Sequence, residues 1–218
     1  MSKDFHIVAI DGGAGTGKST TASILSERLR FMHVDTGSHY RTITSYFVKN
    51  KIGLEEINEY LARNELNLET EIDERLAKIS INGSIFESAE LRNEEVNNLV
   101  SSVASISAVR EKLFLYQRSQ IKVAKENNFQ GLVMEGRDIG TVILPDAELK
   151  VFLVADQGIR EARRRNDGEI DQIESRDRMD SNRRIAPLKE SDGSLRIDTT
   201  ANGVEEVFAI ISDKLGLS

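Results

Sequence analysis

The sequence predicts an α/β fold: a three-layer core in which a parallel β-sheet is flanked by helices, with an inserted subdomain carrying a β-hairpin and a short helical lid. Three observations predict it. The apolar run at 5–10 ends in Asp11-Gly12-Gly13 and is followed by Ala22, Ile24, Leu25 and Leu29 at helical spacing, so the chain opens with strand, glycine-rich loop and helix. Apolar runs recur at 131–134, 150–154 and 195–197, each followed by polar or helical sequence, the alternation expected of parallel strands joined by crossover helices. Between 55 and 109 the texture changes to charged helical sequence around a hairpin signal.

In chain order, 5–10 forms a buried strand, 18–29 the first helix and 31–34 a second apolar run leading into Asp35. Within 78–86, Asn82-Gly83 stands between alternating apolar residues, and both central positions of such a tight turn need positive φ. A hairpin has no natural place in a doubly wound sheet, so this region reads as an inserted subdomain covering a substrate. Residues 99–109 and 112–125 form two helices joined near 105–107. The later apolar runs complete the sheet, and the last helix covers about 204–215.

Composition narrows the classes. A chain of 218 residues can bury roughly 70% of its unfolded surface, so a core is feasible without cross-links. With Cys 0 there is no disulfide scaffold, thiolate zinc site, iron-sulfur cluster or thiol nucleophile. A net charge of -7 argues against a nucleic acid polymer or an anionic membrane as partner. The N-terminal apolar run is too short for a signal peptide, and no stretch approaches the ~18 apolar residues of a membrane span, so a cytoplasmic protein is expected.

Gly12-Gly13-Ala14-Gly15-Thr16-Gly17-Lys18-Ser19 matches G-x-x-x-x-G-K-S/T with a strand before it and a helix after it, the context of a P-loop. Glycines let backbone N–H groups converge on a polyphosphate, and the helix N-terminus adds positive dipole. Lys18 would reach the β- and γ-phosphates of a bound nucleotide, and the Ser19 hydroxyl would ligate Mg²⁺. The motif alone leaves GTPase, motor, transporter subunit and small-molecule kinase open. The nearest guanine-reading candidate, Asn50-Lys51-Ile52-Gly53, lacks the required aspartate. A kinase needs a second anion site and a closing lid, and the arginine-rich, lysine-free stretch 160–184 could supply both, because the guanidinium fork grips phosphate bidentately.

Three more segments stand in order: Asp35-Thr36-Gly37-Ser38-His39-Tyr40-Arg41, Glu135-Gly136-Arg137-Asp138-Ile139-Gly140-Thr141, and Arg176-Asp177-Arg178-Met179-Asp180-Ser181-Asn182-Arg183-Arg184. Together with the P-loop they closely resemble the bacterial cytidylate kinases, the CMP and dCMP kinases of the nucleoside monophosphate kinase group, from about residue 7 to 217. The resemblance implies ATP-dependent phosphorylation of CMP and dCMP, Mg²⁺ as cofactor and a monomer. It implies a single P-loop kinase domain with its core at about 1–40, 110–156 and 185–218, a nucleoside-monophosphate-binding insertion at about 41–109 and a lid at about 157–184.

Residue by residue, it places Thr36, Arg41, Arg137 and Arg183 on the acceptor phosphate. Ser101, Arg110 and Asp138 fall on the cytosine, and Arg176 and Asp180 on the sugar. Lys18, Arg137 and Arg183 carry catalysis; the loop 12–19 (Gly12, Gly13, Ala14, Gly15, Thr16, Gly17, Lys18, Ser19), Thr20, Arg160 and Arg164 hold ATP; Ser19 and Asp35 serve the metal. Physics supports the set: a cytosine offers a donor at N4 and acceptors at N3 and O2, which a carboxylate with an arginine or hydroxyl complements. The alternatives kept open are a related kinase for UMP or another small acceptor, and a nucleotide-dependent switch. One departure stands out: only residues 166–175 separate Arg164-Arg165 from the Arg-Asp pattern, a shorter lid than is usual in the family. Asp11 is expected to stabilise the phosphate loop.

Overall fold

The computed structural model describes residues 5–166 and 173–217, without the side chains of Glu174 and Arg176. The chain opens with β1 (His6–Gly12), the phosphate loop, α1 (Lys18–Leu29), β2 (Phe31–Asp35) and α2 (Thr36–Lys49). Next come α3 (Ile57–Arg63), β3 (Leu68–Asp73), β4 (Leu76–Ile81), α4 (Ser88–Leu91), α5 (Glu94–Val103) and α6 (Ser107–Glu126). It returns through β5 (Gly131–Gly136), a π-helical turn (Ile139–Ile143) and β6 (Leu149–Val154), and finishes with α7 (Gln157–Asn166), α8 (Ile173–Ser181), β7 (Leu195–Asp198) and α9 (Val204–Lys214).

The seven strands form a single sheet in the order β3-β4-β2-β5-β1-β6-β7, all parallel except the β3/β4 pair. β5 is buried along its whole length, which is why 131–134 reads as a continuous apolar run rather than an alternating one. Gly131 is required there: a Cβ would stand 2.6 Å from the His6 carbonyl oxygen and 2.7 Å from the Phe31 ring. On one side of the sheet Ala22 and Leu25 of α1 and Val207 and Ile211 of α9 pack with Val8, Ile10, Val133 and Leu153. A second cluster gathers Met32, Val34, Leu132 and Met134 with Ala124 and Ile139. A third, around Ile43, Phe47, Ile81, Val100 and Leu113, joins α2, β4, α5 and α6. Burying each such side chain contributes about 1.5–3 kcal/mol, which offsets the entropy of ordering the insertion.

The hairpin departs from expectation. Asn82 and Gly83 do take positive φ, 51° and 74°, and Ile81 and Ser84 bond across them, but this turn ends β4 and joins it only to an isolated bridge. The main hairpin is β3/β4, turning at Glu74-Arg75, and it extends the core sheet rather than standing outside it: the His33 N–H donates to the Arg75 carbonyl at 2.8 Å, and His33 registers with Leu76. A parallel sheet accepts an antiparallel edge, and β3, with alternating half-buried and exposed residues, is built for that position.

Topology places the site. β1 leads through α1 to β2 on one side, whereas β5 leads to β6 on the other, so the connections diverge at the β1/β5 boundary. In open α/β sheets the crevice at the carboxyl ends of strands at such a point is where ligands bind. Here those ends carry Gly12, Asp35 and Gly136.

Candidate active site

At those strand ends lies a cavity of about 480 Å³. One wall is the phosphate loop. Gly15 and Gly17 take φ of 72° and 86°, a left-handed conformation that side chains resist, so the motif's glycines set the loop's path. Gly17 is the N-cap of α1 and has no side chain to cap it, and Lys18, Ser19 and Thr20 of the uncapped first turn line the cavity. Lys18 donates to the Gly13 carbonyl at 2.7 Å, and Thr16 Oγ1 donates to the same oxygen at 2.9 Å. Burial, and then the Arg137 cation, pull the Lys18 ammonium down to about 7, with Glu135 pulling the other way.

The floor is made where β2 and β5 lie side by side. Ser19 Oγ donates to Glu135 Oε2 at 3.0 Å, and His33 Nε2 lies 2.9 Å from Glu135 Oε1, so the buried carboxylate links α1 to β2. Thr36 Oγ1 donates to the Glu135 carbonyl at 2.7 Å. Asp35 caps α2 by accepting the Ser38 N–H at 3.2 Å, and it also lines the cavity.

Asp138 and Ser101 of α5 also line the cavity, and Asp138 forms a buried ion pair with Arg110 of α6. Arg110 also donates to the Ala104 carbonyl at 3.2 Å, and its guanidinium sits 5.6 Å from the centre of the Tyr40 ring. Burial raises the Asp138 carboxyl, with Arg110 and Arg183 acting against it. Arg137 Nε donates to Asp180 at 2.9 Å, and Arg183 lies 3.3 Å from the other oxygen of that carboxylate. Arg41 donates to the Leu91 carbonyl at 3.0 Å and to Asn97.

The structure thus brings to one cavity Lys18, Ser19, Thr20, Asp35, Thr36, Arg41, Ser101, Arg137, Asp138, Arg164, Asp180 and Arg183, with Arg110 immediately behind Asp138. The Arg176 side chain lies outside the described residues. Arg160 lies against the phosphate loop but not among the residues lining the cavity: it pairs with Asp177 and donates to the Ala14 carbonyl at 3.1 Å. Arg163 and Arg164 line the cavity, and Arg163 is fixed by Thr199, donating to its hydroxyl at 2.9 Å and its carbonyl at 2.8 Å.

A family model described as cytidylate kinase matches residues 8–216. This chain belongs to the cytidylate kinase family. Its relatives include the cytidylate kinase of Fusobacterium nucleatum, 38% identical across 97% of this chain and 98% of that one. Those of Streptococcus pneumoniae and Geobacillus sp. are 38% and 36% identical, covering 92% and 96% of this chain and 92% and 97% of their own.

For a cytidylate kinase, the arrangement offers a phosphate-binding loop and, on the same cavity, the Asp138 carboxylate and the Ser101 hydroxyl, which can accept from a pyrimidine amine, with the Arg110 guanidinium paired to Asp138 as a donor of the kind the ring's N3 and O2 accept. Ser19, Asp35 and Glu135 are hard oxygen donors at the loop, a set that fits Mg²⁺, which takes one or two protein ligands and completes its shell with phosphate and water. Glu135, Tyr40 and Arg163 also belong to this cavity, and no motif in the sequence points to a role for them. The available signal for Glu135 was an acidic residue closing an apolar strand just before Gly136-Arg137-Asp138. Among the described residues no helix is long and apolar enough to cross a membrane.

Proposed function

We propose that the protein transfers the γ-phosphoryl group of ATP to CMP and dCMP, yielding ADP with CDP or dCDP. The observation that carries this reading is that one cavity is lined both by the phosphate loop with Lys18 and by Asp138, whose carboxylate is paired with the buried Arg110, together with Arg41, Arg137 and Arg183. The loop and Lys18 cradle the ATP phosphates, and Arg163 and Arg164 approach them from the lid. Ser101, Arg110 and Asp138 read the cytosine edge; the wrong base leaves these groups unpaired, at a cost of about 1–3 kcal/mol each. Asp180 faces the sugar, and Thr36, Arg41, Arg137 and Arg183 hold the acceptor phosphate.

That acceptor is already an anion, so no strong base is required. One of its oxygens forms a bond to the γ-phosphorus as the bond to the β,γ-bridging oxygen breaks, and ADP leaves with that electron pair. Catalysis then rests on alignment and on charge neutralisation by Lys18 and the arginines. Ser19 and Asp35 would hold Mg²⁺, which would supply further shielding of the phosphates. Glu135 orients the Ser19 hydroxyl through their 3.0 Å hydrogen bond. The insertion at 41–109 and the lid at 157–184 exclude water from the donor, and the chain works as a cytoplasmic monomer, as its resemblance to the family implies.

Replacing Arg137 with Met tests the assignment. Turnover with CMP falls roughly a hundredfold or more while ATP binding persists. Undiminished turnover would remove Arg137 from the transition state.

A further inference from the structure

Asp11 is the penultimate residue of β1, next to the phosphate loop, yet none of its described hydrogen bonds goes to that loop. Its carboxylate, 2% exposed, accepts the Ile139 N–H through Oδ1 at 2.8 Å and the Gly140 N–H through Oδ2 at 2.7 Å. These are the first two N–H groups of the π-helical turn Ile139–Ile143, whose N-cap is Asp138. A residue at that position ordinarily caps the turn with its own side chain. Asp138 does not, because its carboxylate is turned to Arg110. Asp11 therefore caps, from the neighbouring strand, the turn that Asp138 leaves uncapped.

We propose that Asp11 is a positioning residue for the acceptor side: by holding the 139–140 backbone it aims Arg137 and Asp138 into the cavity. This corrects the expectation that it serves the phosphate loop, and it rests on the assignment of Asp138 to the cytosine. Burial is unfavourable for this carboxylate and pushes it up to about 6, the two N–H bonds acting against that and Asp138 adding to it. An apolar side chain would fill the same space without that penalty; what it lacks is a pair of acceptors. An asparagine keeps the shape but offers only one acceptor, and its amide would confront a backbone N–H.

The test compares Asp11→Asn, Gly140→Ala and Asp138→Asn with the parent enzyme, each checked for folding by circular dichroism. Gly140→Ala approaches the same turn independently, because its Cβ would stand 2.8 Å from Ser191 Oγ and 3.3 Å from Asp11 Oδ2. The readouts are KM for CMP, the CMP-to-UMP ratio of kcat/KM, and the affinity for a non-hydrolysable ATP analogue. Expected for Asp11→Asn is an increase in KM for CMP of about tenfold and a loss of selectivity of about tenfold, with analogue affinity changed by less than about twofold. A merely structural role would not separate the two substrates. If Asp138→Asn loses selectivity while folded Asp11→Asn keeps it, or if Asp11→Asn weakens the analogue instead, the inference fails and the cytosine assignment stands. Should Asp11→Asn not fold, Gly140→Ala decides: parental KM and selectivity in that variant overturn the inference. Unchanged selectivity in Asp138→Asn overturns the cytosine assignment and the inference with it.

Discussion

The Asp177 carboxylate of α8 accepts the backbone N–H of Ala14, in the phosphate loop, at 2.9 Å. The same carboxylate pairs with Arg160 of α7, and Arg160 in turn donates to the Ala14 carbonyl at 3.1 Å. Both backbone polar groups of one loop residue are thus held by the segment read as the lid. If that segment closes over ATP, this contact couples its position to the phosphate loop.

Hydrogen exchange measures that coupling. A bisubstrate inhibitor is expected to slow exchange across 157–166 and 173–184, and Asp177→Ala to speed it there in the free enzyme, with an increase in KM for ATP. Unchanged exchange in both experiments would deny that these helices act as a lid.

Arg110 and Asp138 are paired at 7% and 4% exposure, so removing one partner strands the other's charge. Arg110→Met alone is expected to lower stability by about 3–5 kcal/mol in urea unfolding, and the double replacement Arg110→Met with Asp138→Leu to recover most of that loss. Neither variant should recover turnover with CMP. A double variant as unstable as the single one would show that the pair is a net contributor to stability.

His39 is fully buried against Tyr116, and neither ring nitrogen has a hydrogen-bond partner among the described residues. Burial pulls it down to about 4 from an ordinary 6.5, with the Asp35 charge acting weakly the other way. Between those two values the unfolded chain binds a proton that the folded protein refuses, so stability falls as pH drops from 6.5 towards 4. His39→Leu removes both unpaired nitrogens; thermal unfolding is expected to show a gain of about 1 kcal/mol at neutral pH and a shallower decline on acidification. A loss of stability at neutral pH would show that the ring is satisfied in solution.

What could be read from the sequence is what residues encode locally. The phosphate loop is such a case, because Gly15 and Gly17 carry the positive φ that the motif requires. Asn82-Gly83 likewise announces its own turn, but a turn does not choose its partner strand, and the pairing of β4 with β2 depends on the sheet as a whole. Glu135 went unrecognised for the same reason: His33 and Ser19 meet it only because β2, β5 and the start of α1 converge in space. In sequence Asp11 stands beside the phosphate loop, whereas its hydrogen bonds reach residues 139 and 140 across the sheet. Among the arginines of α7, the sequence singles out Arg160 and Arg164 but not Arg163, whose place on the cavity wall depends on Thr199, far along the chain, as that of Arg160 depends on Asp177.

The most direct measurement is ADP formation from Mg-ATP by the purified protein, offered CMP, dCMP, UMP, AMP, shikimate or no acceptor in separate reactions. Rapid turnover with CMP and dCMP, with CDP and dCDP as products and little reaction otherwise, is the predicted result. ADP release that needs no acceptor, or turnover that prefers UMP, AMP or shikimate, would contradict the account.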